Sequence, residues 1–262
     1  MTARVVALYR YPVKSLTPEP RQSLSVAGGR IAGDRVLGFR FADTEEPDDE
    51  WSSKHKMLAL VNTPGLARIA LRFDDAALRL TLSLDGAVLA DEALDDAGRR
   101  RLCEALAAYA LSLPEGALDG HPERLPLRLV GDGKTPRYTD GPSGGVSLHS
   151  RASLDSLAGA LSDDAVDERR FRSNIAIDGI DAWEEQAWLG REVRIGDVRF
   201  AVERGAIRCL ATHANPDTGE RDRPVLTTLT RAFEQEQPTF AVHMRPLAEG
   251  EIRVGDEVEV VN

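Results

Sequence analysis

The chain has 262 residues, 42% hydrophobic and 29% charged, with 43 acidic against 33 basic side chains and a net charge of −10. That balance suits a soluble globular molecule of one large or two smaller domains; it argues against a nucleic-acid surface, which needs clustered Lys and Arg, but leaves a local cationic pocket open. Two cysteines far apart, Cys103 and Cys209, make no disulfide framework and point to the reducing cytoplasm, and no apolar run is long enough for a signal peptide or a membrane span.

In chain order, Val5–Tyr11 reads as a strand ended by Pro12, and residues 35–42 read as a second strand. The acidic stretch 43–50 reads as an exposed loop. Residues 67–73 and 78–84 alternate as strands, and Asp85-Gly86 supplies a hairpin turn before 87–90. A helix is expected over 95–111, capped by Asp95 or Asp96, with Leu102, Leu106 and Ala110 on one face and Cys103 beside it. A connection over 113–123 is followed by a strand at 125–130 and a long Gly/Pro/Asp loop at 131–145. Ser150 caps a second helix over 151–161. Strands then follow at 172–177, 192–195 and 198–202, the last two flanking the turn Gly196-Asp197, and at 206–210. A short turn or helix at 183–188 precedes the hairpin. A polar turn at 215–220, a helix at 225–235 and closing strands at 239–244 and 251–261 complete the chain. Short strands with about three helices imply a mixed α+β, β-dominated fold, a β-barrel with peripheral helices.

Glu203–Arg221 is the most distinctive stretch. Cys209 follows a strand and precedes a polar loop, with Arg208 adjacent and Arg204 close by. Cationic neighbours favour a thiolate, and a soft sulfur ligand suits a redox-active metal. The plainer reading is an inert buried thiol, and for Cys103, among Ala and Leu on a helix, that plainer reading holds. Gly131-Asp132-Gly133-Lys134-Thr135 invites a phosphate-loop reading, but Arg128 stands where the first glycine belongs and no helix follows. Cys209 and His213 are half a zinc site at most. As a nucleophile–base pair they have only spacing in their favour.

Arg208-Cys209 and Thr212, followed by Asn215-Pro216-Asp217-Thr218-Gly219, resemble the signature of the MOSC family, the molybdenum cofactor sulfurase C-terminal domain. Tyr11 to Leu16 with Gly33-Asp34-Arg35, the run Arg170-Phe171-Arg172-Ser173-Asn174, Ser53-Lys54 and the closing Gly255-Asp256-Glu257-Val258 resemble further elements of that family, in its order. The longer members resemble the mitochondrial amidoxime-reducing component group. The resemblance implies a smaller N-terminal β-barrel-like domain over 1–115 and a MOSC domain over 116–262. It implies a molybdenum cofactor (Mo-molybdopterin) with Cys209 as metal ligand and catalytic residue. Lys14, Ser15 and Arg35 would grip the phosphate end, Arg172 and Asn174 the other side. Ser147 would lie near the pterin, and Lys54 and Arg208 would bind alongside.

The implied activity is reduction of a small N-hydroxylated substrate. An iron–sulfur centre needs four cysteines and this chain has two, so the expected electron donor is a separate reductase or iron–sulfur protein. His213 and Asp217 are candidates for the substrate rim. The alternative is a non-catalytic carrier of the cofactor or of sulfur, or a cofactor-free relative of the fold. Neither nucleic acid nor membrane is expected as a partner.

Overall fold

The computed structural model describes residues 2–142, 144–163 and 165–261. Ser143, inside the expected 131–145 loop, lies outside the described residues. Strands run in order as β1 (Ala3–Arg10), β2 (Glu19–Arg21), β3 (Ser23–Ala27), β4 (Arg30–Ile31), β5 (Gly38–Arg40), β6 (Ala70–Asp74), β7 (Arg79–Leu84) and β8 (Ala87–Ala93). After helix α1 (Asp96–Leu111) come β9 (Arg128–Val130), β10 (Val146–Ser150), helix α2 (Arg151–Leu161), β11 (Ile175–Asp178), β12 (Glu192–Ile195) and β13 (Val198–Ile207). Helix α3 (Val225–Ala232), β14 (Thr239–Pro246), β15 (Gly250–Arg253) and β16 (Glu257–Val261) close the chain.

Seven strands form a closed barrel in the order β11-β10-β14-β13-β12-β16-β1, and β1 pairs back onto β11. Closure removes the free edges an open sheet would expose. Alternation explains which side chains fill it: Val146 and Leu148, Ile175 and Ile177, Val193 and Ile195, Val198, Phe200 and Val202 all point into one buried core. Ser147 and His149 therefore face outward from β10. On β1 the register shifts between Val5 and Ala7, which moves the inward phase from Val5 to Leu8. β10 and β11 are the parallel pair, and α2 is their crossover, capped where Ser150 Oγ accepts from Ser153 N at 3.0 Å. The small sheet β15-β3-β4 packs Leu24, Val26, Ile31 and Ile252 onto the barrel core.

A second core gathers Val13, Leu16, Val36, Leu37, Phe39, the strands β6 to β8 and helix α1. This N-terminal unit was expected to be barrel-like. Among the described residues it holds two sheets, β5-β9 and β6-β7-β8. Helix α1 packs against both β8 and β9. Hydrogen bonding crosses position 115 in both directions: β1 belongs to the barrel, and β9 pairs with β5. The expected strand at 172–177 starts only at Ile175, because Arg172 adopts a left-handed conformation with φ 55°. Two expected strands, 198–202 and 206–210, are one strand, β13, carried past Gly205 by register shifts. No helix among the described residues is long and apolar enough to cross a membrane.

Candidate functional site

The segment 11–14 runs beside 35–37, tied by Lys14 N to Leu37 O at 2.9 Å and Leu37 N to Pro12 O at 3.1 Å. This brings the Tyr11–Ser15 stretch against the outer wall of the barrel. Tyr11, fully buried, anchors it: its hydroxyl donates to Ser173 O at 3.1 Å and its N–H to Asp34 Oδ1 at 2.8 Å. The guanidiniums of Arg35 and Arg172 both lie over the Tyr11 ring, 4.7 and 4.4 Å from its centroid. Arg35 is also paired with Asp34 and donates to Arg172 O at 2.9 Å. Arg172 donates to Leu16 O, and Arg208 to Phe171 O. Three of these residues, Ser15, Arg35 and Arg172, have positive φ without being glycine, so unfavourable backbone is concentrated here.

The result is a cleft of about 150 Å³ between the two units. Lys14, Ser15, Arg35, Lys54, Ser147, Arg172, Arg208 and Cys209, eight of the nine residues singled out from the sequence, line it together. Asn174 does not reach it. Its Oδ1 accepts from Ser147 N and Oγ, and its Nδ2 donates to Tyr9 O and Asp34 Oδ1, all within 3.4 Å, so its polar capacity goes into holding Ser147 in the wall. Cys209 lies half-buried just past the end of β13, where its carbonyl accepts from both Thr212 N and Thr212 Oγ1 at 3.0 Å. The Asn-Pro-Asp-Thr-Gly turn stands behind it. Asn215 Oδ1 accepts from Asp217 N, and Asn215 Nδ2 donates to Asp222, which also takes Arg170. Gly219 is required there: with φ 73°, an added Cβ would come within 2.7 Å of Gly65 Cα.

The two rim candidates sit elsewhere. His213 Nε2 accepts from Leu226 N in the first turn of α3, and Asp217 pairs with Arg169 at the surface. Neither lines the cleft. Cys103 is buried in the N-terminal core, where burial pushes its thiol up to about 11. The Gly131-to-Thr135 stretch is an Asx turn, Asp132 Oδ1 accepting from Lys134 N and Thr135 N.

Two charged or titratable lining residues, Asp140 and His243, went unnoticed in the sequence, and two more, Arg170 and Arg204, were noted there without being assigned to the site. His243 pairs across the sheet with both Ser147 and Arg204. Burial, then the charges of Arg204, Arg208 and Arg35, push it down to about 4, so it is neutral at physiological pH. Seven Lys and Arg side chains line the cleft against one carboxylate, in a chain whose net charge is −10. Burial, then Arg35, pushes Arg172 down to about 10, and burial lowers Lys14. Arg208 Nε and His243 Nδ1 are buried on this cleft with no hydrogen-bond partner among the described residues. An orphaned buried group costs about 1–3 kcal/mol, a cost that a polar ligand in the cleft would offset.

Residues 135–259 match the MOSC domain model. Over 123 residues the chain is 33% identical to mitochondrial amidoxime reducing component 2 of Rattus norvegicus, covering 43% of this chain and 36% of that protein. It is 36% identical over 119 residues to mitochondrial amidoxime-reducing component 1 of Mus musculus, covering 42% and 34%. Over 132 residues it is 32% identical to molybdenum cofactor sulfurase of Caenorhabditis briggsae, covering 50% and 18%. The match spans little more than a third of the mitochondrial relatives and less than a fifth of the sulfurase. The MOSC match thus takes in residues 135–259, just under half of the chain, Cys209 among them.

Proposed function

We propose that the cleft holds a molybdenum–pterin cofactor and that the chain is an oxidoreductase acting on small N-hydroxylated compounds. The observation that carries this reading is the convergence of the half-buried Cys209 with Lys14, Arg35, Arg172 and Arg208 on one cavity. The MOSC match and the names of the relatives support a role tied to the molybdenum cofactor. The donor set fits such a group, since it combines one soft sulfur, a cationic cradle for a phosphate, and two orphaned nitrogens for a heterocycle edge.

When bound, the cofactor supplies two-electron redox chemistry at its metal. Cys209 is the thiol placed to ligate it. Lys14, Ser15 and Arg35 hold the phosphate end, with Lys54 alongside. Arg172 and Arg208 neutralise charge across the cleft, Ser147 offers a hydroxyl, and Asn174 acts by fixing Ser147. His243, neutral, presents a hydrogen-bonding edge without adding to the crowd of positive charge. Ile207 and Leu210, both exposed, flank Cys209 and give a substrate an apolar approach. Two cysteines cannot hold an iron–sulfur cluster, so electrons come from a separate reductase or iron–sulfur protein.

The test is elemental analysis and turnover of protein made in a cofactor-competent host. One molybdenum per chain is expected, with oxidation of a reduced dye on addition of an amidoxime or hydroxylamine. Protein without molybdenum sinks the cofactor reading. Protein that binds molybdenum but turns over with no donor is a carrier.

A further inference from the structure

Two carboxylates stand among the cations of the cleft, and they are held differently. Asp34 is built in: it is buried, Oδ1 accepts from Tyr11 N and Asn174 Nδ2, and Oδ2 takes Arg35. Asp140 is the one acidic residue lining the cavity, yet its side chain is 76% exposed and its hydrogen bond is to Lys14 Nζ at 2.9 Å. It sits on a glycine-rich stretch in which Gly144 and Gly145 have φ 70° and 132°, backbone that a side-chain-bearing residue rarely adopts.

Lys14 is the reverse case. It is only 6% exposed, and its ammonium donates to Tyr138 O at 3.0 Å as well as to Asp140, leaving one N–H to spare. A desolvated ammonium close to two buried guanidiniums needs an anion nearby. Burial lowers Lys14, and the strongest influence opposing it is the charge of Asp140. The anion present in the ligand-free chain is thus an exposed side chain tied to Lys14 alone, while the other carboxylate, Asp34, is committed to Arg35 and to Tyr11.

We propose that Asp140 is an exchangeable counterion: its carboxylate occupies the anion subsite at Lys14 in the ligand-free protein and is displaced by the phosphate group of an incoming ligand. The proposal rests on the reading of the cleft as a phosphate-binding site and adds to it where the phosphate goes and what it must displace. Exchange also gives selectivity. A monoanion gains little by replacing a carboxylate of equal charge, whereas a phosphate monoester or pyrophosphate, near −2 or beyond, gains on every cation of the cleft. The released carboxylate turns to water.

Inorganic pyrophosphate binding to the ligand-free chain, measured by calorimetry at low salt, tests this in the wild type, Asp140→Asn, Asp140→Ser and Lys14→Met. Both Asp140 variants are expected to bind about three- to tenfold tighter than wild type, the effect of removing one partly screened competing charge. Their ligand-free melting temperatures should be lower, and saturating pyrophosphate should close that gap. Lys14→Met should bind at least about tenfold more weakly. If Lys14→Met weakens binding while both Asp140 variants bind no tighter than wild type, the exchange is overturned and the phosphate site stands. If pyrophosphate binds none of the four proteins, exchange and phosphate site fall together.

Discussion

Cys103 lies on α1 with Leu102 and Leu106, packed in the core of the N-terminal unit, where burial pushes its thiol up to about 11. Cys209 lies half-buried just past a barrel strand, in a cleft lined by seven cations. The residue type is the same and the surroundings are opposite. Around Cys103 the chain gathers apolar area: Leu102, Leu106, Leu127 and Leu129 share its core. Around Cys209 it gathers buried charge, three left-handed non-glycine residues and two orphaned nitrogens. Such features lower stability, and they persist only where the surrounding fold enforces them. The contrast separates a thiol packed in an apolar core from one presented to a charged cleft.

Substitution at the two cysteines gives the sharpest test. Cys209→Ser should cut turnover by more than about a hundredfold, beyond the usual loss on changing a supporting residue of a metal site, with the circular dichroism spectrum unchanged. Wild-type turnover in that variant breaks the comparison at its root. Next in size, Arg172→Ala should lower molybdenum content about ten- to hundredfold at limiting cofactor, through lost charge and lost contact with Tyr11. Unchanged metal content would separate the cationic cluster from binding.

Much of this contrast was legible beforehand, and the reasons differ by element. Caps and tight turns are local chemistry: Ser150 before α2, Asp95 before α1, and the hairpins at Asp85-Gly86 and Gly196-Asp197 all stand where expected. β10 was missed because Val146–Ser150 mixes Ser and His outward with Val and Leu inward, over only five residues next to a glycine run. β2 to β4 are two to five residues long and carry too few alternations to register. For the site, motif order brought eight lining residues together, but it misassigned Asn174 to the ligand's side because it cannot show which way an amide faces. Arg204 and His243 sit singly on strands, without spacing to betray them. His243 could have been found as the residue between inward-facing Val242 and Met244.

Acid titration probes the cleft side of the comparison more gently. His243 is held near 4 in the folded chain, below its ordinary 6.5, so the unfolded chain takes up a proton first. Stability from this group is complete above pH 6.5, falls as the pH drops toward 4, and falls no further below that. The loss is at most about 3 kcal/mol. His243→Gln should flatten the decline between pH 6.5 and 4 in urea titrations of the ligand-free chain. An identical decline in both proteins would show that burial and the neighbouring arginines do not hold this ring neutral.

The smallest effect belongs to the other cysteine. Cys103→Ala removes one buried sulfur from a packed core and should cost about 1 kcal/mol, read as a lower urea midpoint at unchanged slope. Molybdenum content and turnover should match wild type, because the helix that carries Cys103 shares no lining residue with the cleft. Alkylation provides the companion measurement. In the native protein at pH 8 Cys209 should react with iodoacetamide, and Cys103, buried and with its thiol pushed up to about 11, should react only after unfolding. Labelling of Cys103 at the native rate of Cys209 would mean that the N-terminal core opens on that timescale, and the division between a packing thiol and a chemical one would fail.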